Sequence, residues 1–141
     1  MCGITGFIPA EKLSKESINA IVLKMTNQIA SRGPDSFGSW VDDHARIGFG
    51  HRRLAILDLS KAGHQPMESS CGRYILTFNG EIYNHLDIRK ILESKSHFLK
   101  WNGLSDTETL LKLIETYGPE KALTELTGMF AFGVWDKKNN Q

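Results

Sequence analysis

Apolar positions change their spacing several times along the chain, and each change marks an element. Residues 2–8 read as a short buried strand, after which Ser14 is suited to N-cap a helix by accepting from an early backbone N–H. Ile18, Ile21, Val22, Met25 and Ile29 then recur at helical spacing, and the helix stops before Gly33-Pro34, where proline pushes its predecessor toward extended backbone. Runs at 37–41, 46–57 and 73–78 are rich in β-branched and aromatic residues and predict antiparallel strands. The middle run is long for one strand, which predicts a bend or bulge near Gly50. Asn79-Gly80 is the dipeptide of a tight type I′ hairpin, so a turn is expected there.

The second half is more helical. Residues 86–93 predict a short helix, and Ser105-Asp106-Thr107-Glu108 has capping-box spacing ahead of an apolar run, giving a helix over 107–117. Pro119 suits a first helical position and Gly128 a stop, which places another short helix at 120–126 and a last strand at 129–135. Strands and helices are grouped rather than alternating. That order favours an α+β layered fold over a doubly wound parallel sheet. Residues 136–141 read as a turn joining two strands, so the chain is expected to be part of something longer.

Composition narrows the function classes. A chain of 141 residues can bury a core as one domain without disulfides or metals. Its net charge of +1 provides no global field to draw in nucleic acid or an anionic membrane. The apolar stretches are short and the first residues lack a secretory pattern, which predicts a cytoplasmic protein. Cys2 and Cys71 form no CxxC pair, and His51, His64 and His85 have no ligand spacing, so no metal site is expected. Cys71 reads as an inert, half-buried thiol, and Tyr83, Phe130 and Trp135 as core or sheet-face aromatics.

Cys2 is the position with chemistry of its own. Removal of Met1 would place a thiol and a free α-amine on one residue, and an amine of pKa about 7.7–8.0 is matched to activating a thiol of about 8.5 near neutral pH. A cysteine at position 2 can equally be a small apolar residue in a buried strand.

The surrounding motifs decide between the two. MCGITGF, RGPDSFG, GHRRLAILD, GHQPM, FNGEIYNH, SDTE and GMFAFGVWD follow one another in an order that closely resembles the amino-terminal glutaminase domain of class II glutamine amidotransferases, asparagine synthetase type. The resemblance runs from Met1 to Asp136 and implies a four-layer α/β/β/α sandwich of antiparallel sheets. It implies that Cys2 attacks the side-chain amide of glutamine, with the Asn79 amide and the Gly80 N–H as the oxyanion hole. It places Arg53 at the substrate carboxylate, Asp106 and Glu81 at its ammonium, and the backbone around Ile56 and Leu57 along the glutamine pocket. Arg32 is expected to brace the nucleophile's strand, and Arg52 to be exposed. Leu104 departs from the family pattern, which has a polar residue or glycine there.

The same resemblance implies an incomplete glutaminase domain over 1–141 with no cofactor of its own. Further strands and a larger synthetase domain using ATP and Mg would follow it, and a homodimer stays open. Two other readings also remain. One attaches the glutaminase to a different class II acceptor domain, and the other makes the chain an inactive folding or interaction module.

Overall fold

The computed structural model describes residues 1–42, 44, 47–56, 58–95 and 99–141. Two three-stranded antiparallel sheets form its centre. The first has the order β1-β3-β2, from β1 (Gly3–Phe7), β2 (Ser36–Val41) and β3 (Gly48–Arg53). The second has the order β4-β5-β6, from β4 (Met67–Glu68), β5 (Tyr74–Ile82) and β6 (Gly128–Asp136).

Helix α1 (Lys15–Gln28) begins where expected, with the Ser14 hydroxyl accepting from the Ser17 N–H. It buries Ile18, Val22 and Thr26 at a spacing of four, while Ile21 is turned outward. The sheet below makes this face possible, because a Cβ at Gly48 would come within 2.5 Å of Val22 and one at Gly50 within 2.1 Å of the Thr26 hydroxyl. Gly50 is therefore not a bulge. β3 runs in unbroken register with both neighbours, and Gly50 lets the helix approach; the ends of the predicted 46–57 run lie outside the described residues.

Strand alternation divides the interior in two. Phe49 of β3 meets Ile75 of β5 and Trp135 of β6 in a core between the sheets, joined by Ile47 and flanked by Trp40. On the other side of the second sheet, Tyr74, Leu76, Phe78 and Ile82 pack against Ile88 and Leu92 of α2 (His85–Lys95) and Leu110, Leu111, Leu113 and Ile114 of α3 (Asp106–Tyr117). The short α4 (Pro119–Thr124), with Pro119 in its first turn, closes that core through Ala122. The layers run α, β, β, α, as expected.

The predicted hairpin at Asn79-Gly80 is overturned. Both residues lie inside β5 and pair with Ala131 and Phe130 across a ladder of nine partners. Gly80 does take the positive φ that suggested a turn, at 153°, but in extended backbone. A side chain there would stand 2.3 Å from the Met129 carbonyl and 2.4 Å from Phe130 Cα, so the glycine permits close strand pairing rather than reversal. Gly128 likewise opens β6 rather than stopping a helix. The 136–141 segment is a turn, held by Asp136, whose carboxylate accepts from Lys138 N–H and grips the Arg73 guanidinium at 2.9 and 2.6 Å.

Candidate functional site

At the open end of the two sheets a cavity of about 200 Å³ is walled by residues from distant parts of the chain. Cys2, Arg53, Ile56, Gly80, Glu81 and Asp106 all contribute to its lining. Leu57 lies outside the described residues. Asn79 is not itself in the cavity wall, although Phe78, Gly80 and Glu81 on either side of it are. By alternation Asn79 shares the β5 face of Ile75 and Thr77, which is turned to the first sheet and its β1 strand. Its Oδ1 is buried with no hydrogen-bond partner among the described residues.

Cys2 is half-buried immediately before β1, with its Sγ accepting from the Leu54 N–H at 3.4 Å. Arg32 donates through Nε to the Cys2 carbonyl at 3.4 Å, the bracing contact expected of it. The wall beside the thiol is pinned by Asp35 of the RGPD motif, whose carboxylate accepts from the Ala55 N–H at 2.8 Å. Two strands and a loop thus fix the thiol's surroundings.

Arg53 leaves the end of β3 and is held from behind. Its Nη1 donates to the Ser60 carbonyl at 2.8 Å and its Nη2 to the Asp58 carbonyl, with Gly63 leaving room for the guanidinium. Five N–H donors in a planar fork leave others for a ligand carboxylate. Asp106 opens α3 and is only 5% exposed. Its Oδ2 accepts from the Ile82 N–H at 3.0 Å and its Oδ1 from the Thr107 N–H at 2.9 Å. Each carboxylate oxygen keeps a lone pair for a further donor. A guanidinium and a carboxylate therefore share one cavity with a thiol.

Several residues lie inside the quoted motifs without a role having been expected of them at the site. Gln65 is 4% exposed and lines the cavity; its Oε1 accepts from the Phe78 N–H at 2.6 Å and its Nε2 donates to the Thr107 hydroxyl. Asp58 ties two loops together, accepting from Ser60 N–H at 2.7 Å and Leu104 N–H at 2.9 Å. The Ser60 side chain first, and then the Leu104 and Ser60 N–H groups, hold its carboxyl below the usual range. Tyr83 was expected as a core or sheet-face aromatic, yet it follows the end of β5, is 58% exposed and lines the cavity. Arg52 was expected to be exposed. It is half-buried, donating to the Thr26 carbonyl at 3.0 Å and lying over the Phe37 ring, so it ties α1 to the first sheet. Cys71 is exposed, in the turn before β5, rather than half-buried.

No group of three or more metal-ligating side chains occurs among the described residues. No described helix is long and apolar enough to cross a membrane.

Comparison with known proteins shows the family. The profile of the glutamine amidotransferase domain matches residues 1–141. The chain is 41% identical over 141 residues to "Asparagine synthetase (glutamine-hydrolyzing) 1" of Bacillus subtilis, covering 99% of this chain and 21% of that protein. It is 38% identical to "Putative asparagine synthetase (glutamine-hydrolyzing) 2" of Methanocaldococcus jannaschii, covering 98% of this chain and 28% of that one. "Amidase chry2" of Gibberella zeae is 34% identical, with 100% of this chain and 22% of the amidase covered. The chain thus spans 21–28% of the length of these relatives. Among solved structures, the glutamine phosphoribosylpyrophosphate amidotransferase of B. subtilis shares the fold, with a TM-score of 0.52 at 24% identity over 65% of this chain and 21% of the other. With a thiol, a guanidinium and a carboxylate around one cavity, and the profile matched from end to end, the chain belongs to the glutamine amidotransferase domain family.

Proposed function

We propose that this chain hydrolyses glutamine to glutamate and ammonia through a thioester on Cys2, and that the ammonia feeds an ATP-dependent asparagine synthetase-type domain following it in the full-length protein. The observation that carries the reading is the convergence of Cys2, Arg53 and Asp106 on one cavity. A free amino acid must be held by a cation and an anion at one end while its amide meets a nucleophile at the other, and these three residues supply that set.

The residues divide the work. Arg53 binds the substrate carboxylate, and Asp106, with Glu81 beside it, binds the ammonium. With Met1 removed, the Cys2 amine takes the thiol proton as sulfur bonds to the amide carbon. The carbonyl oxygen becomes an oxyanion, held by the Asn79 amide and the Gly80 N–H, donors worth about 2.7–4 kcal/mol apiece in such sites. Collapse of the tetrahedral adduct breaks the C–N bond, and the protonated amine returns its proton to the departing ammonia. Water, deprotonated by the same amine, then attacks the thioester and frees glutamate and the thiol. The backbone near Ile56 and Leu57 lines the path of the glutamine stem.

The relatives' greater length supports further strands and a synthetase domain beyond this segment, the place for ATP and Mg. The cytoplasm is the proposed setting, since it supplies ATP and keeps Cys2 reduced. Light scattering on the full-length protein tests whether it is a homodimer. The main test is product analysis of the full-length protein given glutamine, aspartate, ATP and Mg. Glutamate and asparagine should form together, and both should stop in Cys2→Ala. Glutamate without asparagine would retain the glutaminase and reject the acceptor, the outcome expected if the Gibberella zeae relative named an amidase is the better guide. No glutamate would reject the whole reading.

A further inference from the structure

The segment that delivers Asp106 to the cavity has no regular structure of its own, so something outside α3 must hold it. Arg89, on α2, does so from behind. It is 7% exposed and donates from Nη1 to the Gly103 carbonyl at 2.9 Å, from Nη2 to the Ser105 carbonyl at 2.8 Å and from Nε to the Thr109 hydroxyl at 2.7 Å. Its guanidinium lies 4.0 Å over the Trp101 ring and 3.8 Å from the Glu108 carboxylate. Glu108 completes the frame by accepting from the Asn102 and Gly103 N–H groups at 2.8 and 2.9 Å. From the cavity side, Asp58 takes the Leu104 N–H with its carboxylate while its carbonyl accepts from Arg53.

Burying a guanidinium is costly, and a well-packed apolar residue often stabilises a core as well. Three directed bonds from one planar group to two carbonyls and a hydroxyl set the orientation of the Gly103–Ser105 backbone in a way that apolar packing would not. Ser105 immediately precedes Asp106, and its hydroxyl also caps α3 by accepting from the Glu108 N–H. We propose that Arg89 is a positioning residue for amino-acid recognition, fixing the Asp106 carboxylate where the substrate's α-ammonium arrives. The inference rests on the reading of Asp106 as the ammonium acceptor. Arg89 does not touch substrate; it acts through Ser105.

A misplacement of about 1 Å in such a group can cost on the order of 10²-fold in rate. The test compares full-length Arg89→Lys with the parent, on glutamine and on the same amide lacking its α-amino group, glutaramate. Lysine keeps the charge beside Glu108 but cannot reach two carbonyls and a hydroxyl at once. For glutamine, kcat/KM should fall about 10- to 100-fold, mostly through KM, and for glutaramate it should change by less than about twofold. Thr109→Val, which removes one anchor without touching the charge, should shift glutamine in the same direction. In an Asp106→Asn background the effect of Arg89→Lys should vanish, because coupled residues are not additive.

Parallel losses on both substrates, no loss on either, or unfolding of both variants would each overturn the proposal and leave Arg89 a residue of the fold. Failure of the underlying reading has a different signature. The parent itself would then not prefer glutamine to glutaramate, or Asp106→Asn would leave that preference unchanged.

Discussion

At Cys2 the proposed chemistry depends on an atom that translation hides, because a peptide-bonded nitrogen cannot serve as a base. The active protein should therefore begin at Cys2, and intact-mass measurement of active enzyme should show loss of one methionine; quantitative retention of Met1 would sink the mechanism. Asn79 and Arg53 should separate kinetically. Asn79→Ala removes a donor needed only as the oxyanion forms, so kcat with glutamine should fall on the order of 10²–10³-fold with a smaller change in KM. Arg53→Ala removes a contact present in ground and transition states alike and should chiefly raise KM. Free ammonia bypasses the thioester, so synthesis from ammonium chloride should persist in both variants and in Cys2→Ala. Equal losses with both nitrogen sources would mean that these side chains hold the fold and not the chemistry.

Among the elements, β5 carries the most constraint in the fewest residues. It supplies Phe78 and Ile82 to the helical core, Ile75 to the core between the sheets, and Gly80 and Glu81 to the cavity. Gly80 can do this only without a side chain, since its φ is 153° and an added Cβ would meet the Met129 and Phe130 backbone at 2.3 and 2.4 Å. Gly80→Ala should therefore lower stability by about 2 kcal/mol or more and impair glutamine use together. Denaturant unfolding alongside the glutaminase assay checks it, and a variant of parental stability would show that β5 and β6 can separate locally. Helix starts were legible from local chemistry, because a cap at Ser14 or Ser105 is settled within a few residues, whereas α1 and α4 end earlier than expected, at Gln28 and Thr124. Asn79-Gly80 was misread as a turn for the complementary reason. Positive φ at a glycine is a local property, but whether the chain reverses there depends on what lies across it, here Ala131 and Phe130 some fifty residues on.

Across the whole molecule the two sheets are joined by a buried histidine. His51 is 1% exposed, and its Nε2 lies 3.1 Å from the Phe78 carbonyl of the opposite sheet. Burial, with the nearby charges of His64 and Arg53 adding to it, pushes its pKa from 6.5 down to about 4. The unfolded chain then binds more protons between those values, so stability is fully present above about pH 6.5 and falls as the pH drops toward 4. The loss should approach ~3 kcal/mol across that window. His51→Gln should flatten this slope in urea unfolding run from pH 7.5 to 4; an unchanged slope would assign the acid sensitivity elsewhere. Asp136 acts in a lower window. Its carboxyl is held at about 2 by Arg73, so that contribution is lost only as the pH falls below 3.8.

The sequence by itself determined what depends on neighbours and on order: helix starts, strand runs, the grouping that gives stacked layers, and the series of motifs that marks the glutaminase site. Tertiary structure decided what depends on distant partners. It made Gly50 a contact for α1, turned Tyr83 outward to the cavity, drew Arg52 onto α1, and joined Asp58, Gln65 and Arg89 to the residues they brace. Local pattern gives neither the glutamine of the GHQPM loop nor an arginine on a helix a partner, and by itself would leave both as solvated surface. Only when Gln65 meets Phe78 and Thr107, or Arg89 meets Gly103 and Ser105, do buried donors and acceptors find the partners that justify removing them from water.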